Sequence, residues 1–354
     1  MDSELCFAPA TELRSKIDDK EISIVELTQL FLDRIQLLNP KLNAYLTVCE
    51  EQALAAAQEA QKAIEQGNHR GPLHGIPISI KDLEMTQGIT TTMGSLIYKD
   101  SVPSLDSVVV ERVKKSGAII LGKTNTPEFG QSGTTENLLG GPCRNPWDMN
   151  RTPGGSSGGA ASALAAGLCT LATGSDGGGS IRIPASFCGV YGIKPSLGRI
   201  PRHGGVGNPA PNLTSQSGPI SRTVKDAALL LQNLAGWDTR DPVSIRGSTP
   251  DFLTSPGKNI EGLRFAWSPD LGFAAVDPEV SDIASRGAAT FQDTGNYVDQ
   301  PVISIDYPMQ SFLDIFTTNA FLSYGDLYRD HADLVTDYVR QSLDHGGGVS
   351  GMDY

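Results

Sequence analysis

Apolar residues recur at helical spacing in the first part of the chain. Ser23 and Glu26 form a capping-box pattern, and the apolar residues that follow share one helical face: Leu27, Leu30, Phe31, Ile35 and Leu38. This spacing predicts a helix that Pro40 ends. An alanine-rich stretch predicts a second helix over residues 51–64, with Gly67 near its C-terminus.

Further along, the spacing becomes that of β-strands. Ile76, Ile78 and Ile80 alternate with other residues and predict a strand whose opposite face carries Lys81. Further strands or apolar stretches are predicted over residues 118–121, 171–175, 190–193, 263–267 and 302–305. Further helices are predicted over residues 106–115, 160–166, 223–234 and 279–291. This alternation predicts an α/β fold, a mixed central β-sheet flanked by helices on both faces.

The end of the chain carries no such pattern. Glycines at positions 346–348 follow residues 340–343 without a signal for a closing strand or helix. No internal repeat or linker separates two domains, so a single domain is predicted over residues 1–354. Its predicted parts are an N-terminal helical segment (1–68), a core (69–240) and a variable C-terminal part (241–354).

Composition narrows the class of protein. A charged fraction of 19% is ordinary for a globular chain, whereas 39 glycines and 22 prolines indicate many tight turns and exclude a coiled coil. The net charge of -12, without a basic patch, argues against nucleic acid and against an anionic membrane surface as partners. Five cysteines without C-x-x-C spacing indicate neither a disulfide framework nor a zinc site. Acidic Asp2 and Glu4 stand where a secretory signal needs basic residues, so a cytoplasmic protein is expected.

Three segments are weak signals singly but form a coherent chemical set. They are Ile80-Lys81-Asp82, the run Gly154 to Gly159 with Ser156 and Ser157 inside it, and the run Asp176 to Arg182 with Ser180 behind three glycines. A serine attacks an amide only if a base takes its proton, and none of the five histidines has a triad context. A lysine can serve as that base if burial lowers its pKa. Consecutive glycines let several backbone N–H groups converge on one oxygen.

Two other motifs compete with this set. The run Gly117 to Thr124 satisfies the phosphate-binding pattern G-x-x-x-x-G-K-[ST], but residues 118–121 are strand-like where that pattern requires an open loop. The run Gly155 to Gly159 satisfies G-x-S-x-G, which would make Ser157 the nucleophile of an α/β-hydrolase. The residues that precede it, 150–154, do not form a strand pattern, so the required strand–turn–helix is absent. Each alternative is therefore rejected on its own ground.

At these motifs the chain resembles the amidase signature family. The resemblance is close over residues 75–205 and looser over residues 23–63 and 218–236. Outside the three segments it rests on Pro146-Trp147, Thr152-Pro153, Phe187-Cys188-Gly189 and Lys194-Pro195-Ser196. It implies the amidase signature fold and the catalytic residues of that family.

The family's Ser–cisSer–Lys triad maps onto Ser180 as nucleophile, Ser156 as bridging serine and Lys81 as base. The resemblance also implies a cis peptide between Gly155 and Ser156. It implies an oxyanion hole built from the backbone N–H groups of Gly177, Gly178, Gly179 and Ser180. Structural support is expected from Ser157, and from Asp176 and Arg182 as an ion pair that shapes the glycine loop.

The implied function is that of a serine amidohydrolase, which cleaves a carboxamide C–N bond through an acyl-enzyme intermediate without a metal or cofactor. A small-molecule amide is the expected partner, and a homodimer is left open. One alternative is the amidase (glutaminase) subunit of a tRNA-dependent amidotransferase. Another is a truncated, non-catalytic member, because family members generally continue beyond the position of Tyr354. An incomplete C-terminal part with reduced stability and a more open cleft is accordingly expected.

Overall fold

The computed structural model describes residues 3–204 and 214–354. The α-helices in these ranges are α1 (Ser3–Phe7), α2 (Ala10–Asp18), α3 (Ile24–Leu42), α4 (Glu50–Glu65), α5 (Val108–Lys115), α6 (Gly158–Ala165), α7 (Arg182–Cys188), α8 (Val224–Leu234), α9 (Pro278–Asp293), α10 (Met309–Asp330) and α11 (Asp337–Gly348). The β-strands are β1 (Tyr45–Val48), β2 (Pro77–Lys81), β3 (Ile119–Thr124), β4 (Leu171–Asp176), β5 (Tyr191–Gly192), β6 (Gln216–Ser221), β7 (Arg264–Ala266) and β8 (Tyr297–Asp299).

A six-stranded mixed sheet forms the centre of the fold, in the order β1-β3-β2-β4-β6-β5. Strand β2 pairs in parallel with β3 and β4, whereas the other pairings are antiparallel. Every residue of β2 and β3 is buried, as expected for central strands that are covered on both faces. Helices α3, α4, α6 and α8 contact the sheet. The predicted α/β fold with a mixed sheet is confirmed.

Helix α3 begins as predicted and ends later than predicted. Oγ of Ser23 accepts the N–H of Glu26 at 3.1 Å, and the Glu26 carboxylate accepts the N–H of Ser23 at 3.0 Å. The helix continues past Pro40 because buried Leu42 anchors its last turn. It ends where Asn43 adopts a left-handed conformation with φ of 50°.

Most predicted strands overlap observed ones, with three kinds of error. Strand β3 runs beyond the predicted end at residue 121 to Thr124, because its polar last residues are buried against neighbouring strands. The strand predicted over residues 302–305 is wrong. Strand β8 lies earlier, where it can pair in parallel with β7, and Val302 is fully exposed. Strands β1 and β6 were not predicted.

The prediction of no closing helix is also wrong. Helices α10 and α11 pack against each other, and Val339 and Leu343 of α11 are buried. Gly346 lies so close to α10 that a Cβ there would be 2.1 Å from the carbonyl oxygen of Thr317. This glycine therefore permits close helix packing.

Two hydrophobic clusters lie within the described ranges. One extends from the N-terminal helices through the sheet to α8. The other joins α10 and α11 to the loop residues Leu83, Met93 and Phe129, and so holds α10 beside the end of β2.

The division of the domain at residues 68 and 240 stays a prediction. In the described ranges, no helix has the length and apolar character needed to cross a bilayer.

Candidate active site

Lys81, the last residue of β2, brings three serine hydroxyls together. Its side chain is fully buried. Its Nζ lies 2.7 Å from Oγ of Ser156, 2.8 Å from Oγ of Ser157 and 3.1 Å from Oγ of Ser175. The backbone N–H of Lys81 donates to Oγ1 of Thr173 at 3.1 Å, which ties β2 to β4. Side chains that are distant in sequence therefore converge on one amine.

The surroundings of Lys81 favour its neutral form. Burial lowers the pKa of its ammonium group to about 7, although the negative charges of Asp176 and Glu84 act in the opposite direction. A neutral amine has one lone pair and two N–H groups, so one neighbouring hydroxyl can donate to Nζ while two others accept from it. Lys81 can therefore exchange a proton near neutral pH.

Ser156 and Ser157 lie in the loop that leads into α6. The Gly155–Ser156 peptide is cis, as predicted, and both serine side chains are buried. The N–H of Ser157 donates to the carbonyl of Ser180 at 3.1 Å, which joins this loop to the predicted nucleophile. No strand precedes Ser157 directly, so the strand–turn–helix elbow of an α/β-hydrolase is not formed there.

Ser180 is the last residue of a glycine loop whose conformation is fixed by hydrogen bonds to the side chain of Asp176. The buried carboxylate of Asp176 accepts the N–H groups of Gly179 at 2.8 Å and Ile181 at 3.1 Å. Arg182 donates two further bonds to it, from Nε at 2.9 Å and Nη2 at 2.8 Å, so the predicted ion pair is present. Burial by itself raises the pKa of Asp176, but the bonds from Arg182 and the backbone lower it to about 2. The loop is therefore organised around a permanent negative charge.

This arrangement concerns the four N–H groups of the predicted oxyanion hole. The N–H of Gly179 is bonded to Asp176, so it does not point towards a substrate oxygen. The N–H groups of Gly177, Gly178 and Ser180 have no hydrogen-bond partner among the residues that the structure describes. The predicted oxyanion hole stays a prediction, and of its four donors the N–H of Gly179 is engaged within the loop.

Ser175 is a site residue that the sequence reasoning missed. It precedes Asp176 on β4, and its Oγ lies 3.1 Å from Nζ of Lys81. Oγ of Ser157 donates to the carbonyl of Ser175 at 3.3 Å. Because β2 and β4 pair in parallel, Ser175 near the end of β4 lies beside Lys81 at the end of β2. A prediction of this strand pairing would have identified Ser175 as a neighbour of Lys81.

A cleft lies beside Ser180, and much of one wall comes from α10. Its lining includes Leu83, Glu84, Phe129, Gly130, Ser156, Ser175, Gly177, Ser180, Arg202, Ser217, Phe316, Asn319, Ala320, Ser323 and Tyr324. Phe129 has a left-handed φ of 52°, which is unusual for a bulky side chain, and its ring stacks on that of Tyr324 with centroids 4.0 Å apart. Phe312 of α10 packs closely on Gly178. The glycine loop and α10 therefore form adjoining parts of the site.

The rejected phosphate-binding motif forms strand β3, as its rejection predicted. Its lysine, Lys123, is fully buried, and Nζ lies 3.4 Å from Oδ1 of Asp82. Nζ also donates to the carbonyl of Glu84 at 2.7 Å and to Oγ1 of Thr91 at 2.6 Å. This buried pair anchors the loop that follows Lys81 and carries one wall of the cleft.

The cysteine thiols are packed as apolar groups. All five are buried, and none forms a disulfide. Burial raises the pKa of Cys188 to about 12, so it is a thiol at neutral pH. In the described part of the chain, no three His, Cys, Asp or Glu side chains converge as a metal site requires.

A family model described as Amidase matches residues 26–347. The chain is 41% identical over 310 residues to a glutamyl-tRNA(Gln) amidotransferase subunit of Geobacter sp. (strain M21), covering 87% of this chain and 63% of that one. It is 38% identical over 357 residues to the acylamidase of Rhodococcus erythropolis, covering 99% and 74% respectively. The crystal structure of a bacterial aryl acylamidase of the amidase signature family is similar with a TM-score of 0.91 at 31% identity, covering 98% of this chain and 74% of that one.

The chain therefore belongs to the amidase family, and the resemblance seen in its sequence is confirmed. It spans 63% of the length of the Geobacter relative and 74% of that of the Rhodococcus relative. The relatives are divided between acylamidases and amidotransferase subunits, so membership in the family alone assigns no substrate.

Proposed function

We propose that the chain is a serine amidohydrolase that cleaves a carboxamide C–N bond through an acyl-enzyme intermediate. The observation that carries this proposal is the buried amine of Lys81, 2.7 Å from Oγ of Ser156. Within the described residues, no carboxylate lies at ion-pair distance from this amine. A buried, unpaired ammonium is unfavourable, so the amine is suited to accept a proton rather than to hold one.

Ser180 acts as the nucleophile in this mechanism. Its hydroxyl proton passes to Oγ of Ser156, and the proton of Ser156 passes to Nζ of Lys81, while Oγ of Ser180 bonds to the carbonyl carbon. When the C–N bond breaks, a proton returns along the same path to the leaving nitrogen. A water molecule, deprotonated through the same groups, then releases the acid from the acyl-enzyme.

The negative charge that develops on the carbonyl oxygen needs convergent donors. The N–H groups of Gly177, Gly178 and Ser180 supply them, and Asp176 keeps the loop in the conformation that aims them. Losing one such donor typically costs about 2.7–4 kcal/mol of barrier. No step of this mechanism requires a metal or a cofactor.

Replacement of the nucleophile tests the proposal. Ser180→Ala should reduce amide turnover to background and abolish covalent labelling by a fluorophosphonate. Ser157→Ala is the matched control, because Ser157 also contacts Lys81 but is not the proposed nucleophile. This control should still be labelled, at a reduced rate. A label that is lost in Ser157→Ala and retained in Ser180→Ala would support the α/β-hydrolase assignment instead.

A second candidate is the glutaminase subunit of a tRNA-dependent amidotransferase, favoured by the 41% identity to the glutamyl-tRNA(Gln) amidotransferase protein of Geobacter. Glutaminase turnover would then rise when partner subunits are added. The relative from Rhodococcus is named an acylamidase. If the chain is one too, it should hydrolyse simple amides without partner subunits. A panel of short-chain, aryl, peptide-terminal and glutamine amides, with mass spectrometry of the trapped acyl adduct, separates the two. Active-site titration identifies a non-catalytic member, which would take up no label.

A further inference from the structure

Glu84 has a carboxylate oxygen without a hydrogen-bond partner at the wall of the cleft. The residue is 7% exposed, and its Oε1 accepts from the hydroxyl of Ser217 at 2.9 Å. Both residues line the cleft that also contains Ser180. The second oxygen, Oε2, accepts no hydrogen bond from residues 3–204 and 214–354, and it is not one of the unpaired atoms there that are sealed from solvent. Oε2 therefore keeps accessible surface in the cleft.

This carboxylate also lacks a counter-charge at ion-pair distance within the described ranges. Nζ of Lys123 lies 3.4 Å from Oδ1 of Asp82, and it donates to the backbone carbonyl of Glu84 rather than to its carboxylate. Arg202 lines the same cleft, but its Nη1 donates to the carbonyl of Ser215 at 2.8 Å. Buried charges are normally paired, because an uncompensated one is unfavourable. A bound group that supplies a positive charge would therefore satisfy Glu84.

The charges around the cleft indicate what this bound group can be. An apolar group that covered Glu84 would leave its charge uncompensated, and a neutral N–H donor would satisfy only a lone pair. An ammonium group would satisfy both through a charge-assisted hydrogen bond. Burial lowers the pKa of Arg202 and the charge of Glu84 raises it, so the two charges interact at longer range, and one added cation fits better than two. The net charge of -12 also attracts cations to the molecule.

We propose that Glu84 is a specificity-determining residue whose Oε2 accepts a hydrogen bond from a primary ammonium group on the substrate. The substrate class is then an amide that carries an alkyl amine on its acyl portion or on its leaving portion. Apolar Leu83, Phe316 and Ala320 line the same cleft and suit the methylene chain between the amine and the amide. This inference rests on the proposed amidase function.

The test compares amides that end in an ammonium group with amides in which a methyl group replaces it. One series varies the length of the acyl chain in p-nitroanilides, and the other varies the chain of the leaving amine in acetamides. At about pH 8 an alkyl amine is charged, since its ordinary pKa is about 10.4. The wild-type chain should prefer the ammonium member by about tenfold or more in kcat/KM at one chain length.

Substitutions of Glu84 show whether its carboxylate causes this preference. Glu84→Gln keeps the size of the side chain and removes its charge, so the ratio should fall close to one. Glu84→Asp keeps the charge but withdraws it by one methylene, so the preference should persist with the best chain length shifted to a longer amine. Any change in the basicity of Lys81 affects both members of a pair equally and cancels in the ratio. Glu136→Gln, at an exposed carboxylate outside the cleft, is the matched control and should leave the ratio unchanged.

Two results overturn the proposal. One is a wild-type chain with no preference for the ammonium member at any length in either series. The other is a ratio that Glu84→Gln leaves unchanged while both members lose rate and Tm falls, because Glu84 would then only hold its loop.

Fluorophosphonate labelling of Ser180 separates the two levels of inference. If the wild type is not labelled, the proposed function fails and this inference fails with it. If it is labelled and hydrolyses amides without the preference, the failure belongs to Glu84 alone.

Discussion

The carboxylate of Asp176 accepts the backbone N–H of Gly179 at 2.8 Å, and this bond sets the shape of the loop before Ser180. An aspartate at the end of β4 thereby turns this N–H inward, whereas the N–H groups of Gly178 and Ser180 have no hydrogen-bond partner in residues 3–204 and 214–354. Arg182 balances the charge through two bonds, and it is itself largely exposed. The pair therefore supports the loop and also places a fixed negative charge near Lys81.

Asp176→Asn should lower activity and shift its pH dependence. The amide keeps the volume but weakens the bonds to Gly179 and Arg182, so kcat/KM should fall by about tenfold or more through misplaced oxyanion donors. The charge of Asp176 raises the pKa of Lys81, so its removal should move the midpoint of the rise in activity to lower pH. The measurement is a pH profile of kcat/KM for an amide. Asp148→Asn changes an exposed carboxylate and is the control, in which the midpoint should stay where it is in the wild type. If the midpoint does not move in Asp176→Asn either, the electrostatic coupling between Asp176 and Lys81 is contradicted.

The activity of the wild-type chain should rise with pH and then level off. The proposed base must be neutral, and burial lowers the pKa of Lys81 to about 7. Because the neutral fraction grows as pH passes this value, kcat/KM should increase through an apparent pKa near it and reach a plateau above about pH 8. The pH profile of hydrolysis of a neutral amide measures this. A midpoint close to the ordinary lysine value of about 10.4 would contradict the assignment.

Lys81→Ala should impair amides more than esters. An amine leaving group needs the returned proton, whereas an alcohol leaves more readily without it. Parallel measurement of kcat/KM for an amide and an ester with the same acyl group checks this expectation. Equal losses on both substrates would indicate that Lys81 only positions Ser156.

Lys123→Met should destabilise the fold. It leaves the buried carboxylate of Asp82 without its cation, and such a broken pair typically costs about 3–5 kcal/mol. The measurement is the free energy of unfolding in urea. The double variant Asp82→Asn, Lys123→Met should recover part of the loss, because it leaves no uncompensated charge. Lys99→Met, which removes an exposed ion-pair partner, should change stability little. A double variant no more stable than Lys123→Met would refute the pairing as the cause.

Gly178→Ala should reduce turnover through a clash with α10. A Cβ at this position would lie 2.6 Å from Cζ of Phe312, and the displaced contact would shift one of the oxyanion donors. The expected loss in kcat is up to about 10²-fold. Adding Phe312→Ala removes the obstructing ring and should restore part of the rate, which steady-state kinetics of both variants would reveal. If the second substitution brought no recovery, the clash would not be the cause.

Much of the fold could be predicted from the sequence because its signals are local. The capping box of Ser23 and Glu26 and the alternation around Ile78 depend on residues only a few positions apart. Errors arose where distant contacts override the local pattern. Leu42 keeps α3 helical beyond Pro40, and Gly346 belongs to a helix because α11 packs closely on α10.

The sequence by itself determined which residues are candidates for the chemistry of the site, a lysine at a strand end and two serines among glycines. Lys81, Ser156 and Ser180 could be proposed because the three segments that contain them together resemble the motifs of the amidase signature family. Only the tertiary structure decided that Gly179 turns its N–H inward and that Ser175 completes the surroundings of Lys81. It also decided that α10 supplies a wall of the cleft. These features depend on which strands pair and where a helix packs. Such contacts join residues that are far apart in the sequence, so the local sequence pattern around each residue does not predict them.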